Sequence, residues 1–141
     1  MAETFLLEIV TPSRRLLSTE VSSLSAPGAL GEFGVLPGHT GLVTVLKPGT
    51  VVYKKGTETG IIAIGKGYGE VSADKTILLV DSGEYAAEIN LEAAKATLAK
   101  SEEALTTLYP EDEGYQAAVD ALELSAARIR VAELEKSGGG H

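Results

Sequence analysis

The chain has 141 residues, 44% of them hydrophobic, with 20 acidic against 12 basic side chains and a formal net charge of -8. That is enough apolar material for one compact domain, or for one small domain plus an appendage. The acidic balance argues against nucleic acid and against direct adhesion to anionic lipid, which both need clustered Lys and Arg. There is no cysteine, which excludes disulfides and thiolate chemistry. The opening run Met1–Val10 does not read as a signal peptide, because it lacks a basic start and Glu3 and Glu8 interrupt its apolar residues. No stretch reaches the roughly 20 apolar residues of a membrane helix, so no direct membrane insertion is expected.

Composition changes near Tyr85. Up to that point lie 12 of the 16 glycines and five alanines; beyond it there are 13 alanines. Glycine punctuates strands and turns, whereas alanine is the best helix former. The first half reads as short strands. Phe5, Leu7 and Ile9 alternate along Thr4–Val10, and Thr11-Pro12-Ser13 turns the chain. One long extended stretch is expected over Leu16–Leu24, then strands at Leu42–Leu46 and Thr50–Lys55, a turn over Gly56–Gly60, and a strand at Ile61–Ile64. Gly65–Gly69 is read as a bend, Glu70–Ala73 and Thr76–Val80 as strands about a tip at Asp74-Lys75. Many short strands at even spacing predict a sandwich or barrel.

The second half reads as an antiparallel helical hairpin. Asn90 is a good N-cap with Glu92 in the first turn, and Leu91, Ala94, Leu98, Glu102 and Leu105 follow a 3-4 spacing. Tyr109-Pro110 is expected to break this helix, with Glu111, Asp112 and Glu113 opening the next. Tyr115, Ala118, Leu122, Ser125, Ile129 and Ala132 make its stripe. The divisions expected are a β unit over 1–86, a regulatory hairpin over 87–137 and a disordered tail at 138–141. An alanine-lined stripe buries little area, so the hairpin is expected to dock weakly and to be able to leave the β unit.

Catalytic chemistry finds little support. His39 and His141 are the only histidines, so a nucleophile–base pair would rest on His39 alone. One histidine outside the tail and no cysteine make no zinc site, and no acidic run matches a calcium loop. Gly65-Lys66-Gly67-Tyr68-Gly69 and Gly28–Gly34 lack the following helix that a phosphate loop needs, and are read as bulges and turns. No catalytic residue, metal or cofactor is expected.

The run Gly31-Glu32-Phe33-Gly34-Val35-Leu36-Pro37-Gly38-His39-Thr40 resembles the signature segment of epsilon subunits of the bacterial F-type ATP synthase. Gly41–Gly49, Ala63–Val71 and Arg130-Val131-Ala132-Glu133-Leu134 continue the likeness in order. The resemblance implies a ten-stranded β-sandwich followed by two antiparallel helices. It implies a non-catalytic central-stalk subunit of the proton-translocating synthase, peripheral on the cytoplasmic face of the bacterial inner membrane. Its partners would be the gamma subunit and the polar loops of the c-ring, and also the alpha and beta subunits when the hairpin extends and blocks hydrolysis.

On that resemblance, Glu32, Phe33, Val35 and His39 fall in the segment implied to face gamma or the c-ring. Glu32 reads equally as a solvated turn acid, His39 as a hydrogen-bonding turn residue, and Phe33, Val35 and Leu36 as core. Arg128 and Arg130 are implied to meet the catalytic head, or else are ordinary helix-surface charge. Some relatives bind ATP through an apolar-Asp-x-x-Arg-Ala motif. Leu91-Glu92-Ala93-Ala94-Lys95-Ala96 is similar but substituted twice, and Lys95 lacks the guanidinium fork. Nucleotide contact by Glu92, Lys95 and Arg128 is therefore expected to be weak or absent.

Overall fold

The structure, a computed structural model, describes residues 3–136; the tail expected to be disordered, 138–141, lies outside the described residues. The strands are β1 (Phe5–Val10), β2 (Arg15–Val21), β3 (Ser23–Gly28), β4 (Gly31–Val35), β5 (Leu42–Leu46), β6 (Gly49–Lys55), β7 (Glu58–Ile64), β8 (Gly67–Val71), β9 (Lys75–Val80) and β10 (Gly83–Tyr85). A single 3-10 turn, Ala86–Glu88, leads to α1 (Leu91–Leu105) and α2 (Tyr115–Lys136). The sheet runs β10-β7-β6-β3-β5-β8-β9-β1-β2, with β4 added to β3. It wraps into a ten-stranded sandwich, as expected. Every pairing is antiparallel except β1 with β9.

Alternation builds the core. Phe5, Leu7 and Ile9 of β1 point inward and are buried, meeting Leu24, Ile62, Ile64 and Leu78 from other strands. Among the described residues, none from a helix contributes to this cluster.

Local chemistry departs from the sequence reading in several places. The stretch Leu16–Leu24 is two strands. The chain breaks at Ser22, whose N–H donates to the Lys54 carbonyl at 2.7 Å, and β3 then continues on the β6 side. The segment read as a glycine-rich turn contains β4, which closes a hairpin with β3 through Ala29-Leu30. Gly31 opens β4 at φ 137°, a backbone region where a side chain would be strained. Gly60 lies inside β7 rather than in a turn, directly opposite Tyr53. A Cβ on Gly60 would meet the Tyr53 ring at 2.1 Å, so the glycine makes room for the aromatic.

The helices also begin and end differently. Asn90 caps α1 as expected, its Oδ1 accepting the Ala93 N–H at 3.0 Å. The helix ends at Leu105, before Pro110 is reached. There the Thr106 and Thr107 hydroxyls donate to the Glu103 and Ala104 carbonyls at 2.6 and 3.2 Å, a side-chain competition that suits threonine at helix ends. Glu111, Asp112 and Glu113 do not open α2. They lie in the connection, where Asp112 accepts the Tyr109 N–H at 2.8 Å, and α2 starts only after Gly114 at φ 90°.

Candidate interaction surfaces

Two outer faces of the sandwich have opposite fates. The face over β6 and β7 is covered by α2. Here Ala127 and Val131 meet Ala63, with Ile61, Ala86 and Ile89 around them. The apolar contact is small, and it is made by Ala127 and Val131, which lie outside the stripe read from the sequence. Three ion pairs supplement it. Arg128 Nε donates to Glu84 Oε1 at 2.7 Å, and its Nη2 to Oε2 at 3.3 Å. Lys66 Nζ lies 3.4 Å from Asp120 Oδ2, and Lys47 Nζ 3.5 Å from Glu123 Oε2. The Arg128–Glu84 fork is the strongest, because its side chains are only 20% and 30% exposed and its geometry is bidentate. The two lysine pairs are more exposed and worth about 0.2–1 kcal/mol each.

Among the described residues no helix covers the face over β5, β8 and β9. Val45, Tyr68 and Leu79 stand directly opposite one another across the three strands, and they are 52%, 62% and 51% exposed. Val10 extends the row onto β1, opposite Leu79, and Val43, 74% exposed, lies two residues along β5 on the same side. At one end the row opens into a groove of about 680 Å³ that Pro12 and Lys66 also line. A contiguous apolar patch of this kind on a small chain marks a partner surface. These residues were not singled out from the sequence. The available signal was the absence of alternation: Leu42-Val43-Thr44-Val45-Leu46 and Ile77-Leu78-Leu79-Val80 are apolar on both faces, the pattern of a strand covered on both sides.

The segment that carried the resemblance is divided by its pleat. Val35 is buried in the sandwich core, Phe33 is half-buried against it, and Glu32 is exposed on β4. His39 lies beyond the strand, its Nδ1 donating to the Thr40 carbonyl at 2.6 Å. Arg130 is exposed and forms no ion pair among the described residues. The structure brings Glu32 and Arg130 to one cleft between the β3–β4 hairpin and α2. Glu92 and Lys95 are exposed on α1, while the Arg128 guanidinium is engaged by Glu84, so the nucleotide trio offers no free fork in this arrangement.

Where the sandwich passes into the hairpin, Glu88 ties the junction. It accepts the Tyr85 N–H at 2.9 Å and Arg14 Nη2 at 2.8 Å. The Arg14 hydrogen bond holds its carboxyl below the usual glutamate range, with the Tyr85 backbone bond adding to the effect. Burial pushes the Tyr85 hydroxyl up, and that hydroxyl donates to the Leu16 carbonyl at 2.7 Å. No helix among the described residues is long and apolar enough to cross a membrane.

Comparison with known proteins converges on one family. The family described as "ATP synthase, Delta/Epsilon chain, beta-sandwich domain" matches residues 4–86. An ATP synthase epsilon chain of Geotalea uraniireducens is 50% identical over 132 residues, covering 94% of this chain and 96% of that one. That of Geobacter metallireducens is 48% identical over the same span. The fold recurs in a chain of the Euglena gracilis mitochondrial ATP synthase cryo-EM structure, with a TM-score of 0.75, 20% identity, and 92% of this chain and 81% of that chain covered. With the sandwich, the helical hairpin and half of all aligned residues shared, this chain belongs to the epsilon chains of the ATP synthase delta/epsilon family.

Proposed function

We propose that the chain is a non-catalytic rotor subunit of a bacterial proton-translocating ATP synthase, coupling rotation to synthesis through its sandwich and restraining ATP hydrolysis through its hairpin. The observation that carries the reading is the uncovered apolar row Val45–Tyr68–Leu79 with Val43 beside it. A surface of that kind on a family member is where the gamma shaft would seat. The β3–β4 hairpin, with Leu30 fully exposed at its tip and Glu32 beside it, would meet the polar loops of the c-ring. The hairpin's weak apolar contact supports a docked arm able to extend toward the alpha and beta subunits, carrying Arg130 and a released Arg128 with it. The whole assembly would place the chain peripherally on the cytoplasmic face of the inner membrane.

Two measurements test this. The purified chain is expected to co-elute with the gamma subunit on gel filtration. Removal of residues from Asn90 onward is expected to leave a folded sandwich and to raise ATP hydrolysis by the reconstituted complex. Absence of gamma binding, or unchanged hydrolysis after truncation, would overturn the respective half of the reading.

A further inference from the structure

Lys66 lies on the boundary between the two faces. It lines the apolar groove together with Tyr68 and Leu79, and its ammonium lies 3.4 Å from Asp120 Oδ2 on α2. It also lines the small cleft where Ala117, Ala121 and Leu124 of α2 meet the sandwich. The turn that carries it is fixed. Asp81 N–H donates to the Lys66 carbonyl and Gly65 N–H to the Ser82 carbonyl, both at 2.9 Å, and the Asp81 carboxylate fills the space a Cβ on Gly65 would need. The acceptor is fixed too, because Gln116 Nε2 donates to Asp120 Oδ1 at 2.9 Å.

We infer that Lys66 couples the two surfaces, so that a partner seated on the apolar row holds the hairpin down. Resting on the reading of that row as the gamma-binding face, the inference adds a direction. In the free chain Lys66 is 62% exposed, and water screens its attraction to Asp120. An apolar partner over Val45, Tyr68 and Leu79 removes water from one side of the lysine stem. The effective dielectric falls and the pair strengthens. By linkage, the docked hairpin strengthens partner binding by the same factor.

The test uses the full chain, which has no cysteine of its own, with donor and acceptor dyes attached at Thr57→Cys and Ala99→Cys. Adding purified gamma subunit at low salt is expected to lower the open-hairpin fraction about threefold, a size set by one exposed ion pair moving into a drier setting. Asp120→Asn lies off the groove, so it should still co-elute with gamma, at most about threefold more weakly as linkage requires, yet show no closure. Closure of Asp120→Asn equal to that of the unmutated chain would overturn the coupling, as would an unmutated hairpin that gamma leaves unmoved or opens. Failure of the unmutated chain to bind gamma would instead remove the gamma-face reading beneath it, and the coupling with it.

Discussion

Arg128 and Glu84, 44 residues apart in sequence, form a two-pronged ion pair that joins the middle of α2 to the last strand of the sandwich. The pair sits beside an apolar part of that contact, the cluster of Ala63, Ala127 and Val131. Replacing Arg128 with Ala removes both prongs and leaves a half-covered carboxylate without its partner, at a cost of about 1–2 kcal/mol. Amide exchange over the second helix is expected to quicken about tenfold while that of β1 and β9 stays as it was. Arg128→Lys should recover only part of the protection, since a point charge cannot span both oxygens. Equal protection in Arg128→Ala and the unmutated chain would show that this pair does not set the docking.

The apolar row predicts a separation of binding from folding. Leu79→Asp places a carboxylate at a half-exposed outward position while its buried neighbours Leu78 and Val80 are untouched. Gamma binding is expected to weaken at least about tenfold, from burying an unpaired charge in an interface, with the melting temperature within a few degrees of the original. A large drop in melting temperature would mean that the side chain supports the fold instead.

Two glycines in the sheet should differ sharply when changed to alanine. At Gly67 the new Cβ would lie 1.9 Å from the Leu79 carbonyl oxygen, a backbone atom of the paired strand that cannot move alone. At Gly60 it would meet the Tyr53 ring, a side chain able to swing aside. Gly67→Ala is expected to cost about 3 kcal/mol or more and Gly60→Ala about 1–2 kcal/mol, overpacking against rigid and flexible neighbours respectively. Urea unfolding of the two variants measures both, and equal midpoints would contradict the assignment.

Acid stability should depend on Glu8 and Glu88. The Lys75 ammonium, 3.2 Å from Glu8, holds that carboxyl low chiefly by hydrogen bonding, and Arg14 does the same for Glu88. With folded values below unfolded ones, the unfolded chain binds more protons through the interval between them. The stabilisation is therefore complete above the ordinary glutamate value of about 4.3 and is lost as pH falls through the lower folded values. Glu88→Gln is expected to give a shallower decline of melting temperature between roughly pH 5 and pH 3 than the unmutated chain shows. An identical decline would show that the pair contributes nothing in solution.

Much of the architecture was readable because it is written in local patterns. The alternation of Phe5, Leu7 and Ile9, the change from glycine to alanine at Tyr85 and the cap at Asn90 each act within a few residues. Other features depend on distant partners. β4 looks like a glycine-rich loop until β3 is beside it, and three-residue β10 exists because β7 offers it an edge. Glu111–Glu113 suit a helix start by charge, but the Asp112 cap on Tyr109 and the left-handed Gly114 decide otherwise. Among the site residues, Val35 and Phe33 were left between core and surface, and the pleat resolves them inward. The row Val43, Val45, Tyr68 and Leu79 drew no notice because valine and leucine in a strand read as core until the outer face is seen to be bare. Likewise Glu84 carried no sign that Arg128 would find it.

The parallel register of β1 with β9 has a consequence for how the molecule is made. β1 meets β2 within a few residues, but Leu7 pairs with Thr76 and Ile9 with Leu78, so its other edge waits for nearly seventy further residues before β9 arrives. Closing so long a loop is entropically costly and slow. The helical arm, whose contacts are local, can zip within microseconds of emerging. The nascent chain thus holds one edge of the apolar β1–β2 hairpin unpaired until β9 emerges, and that interval is when it is most open to aggregation or to a chaperone.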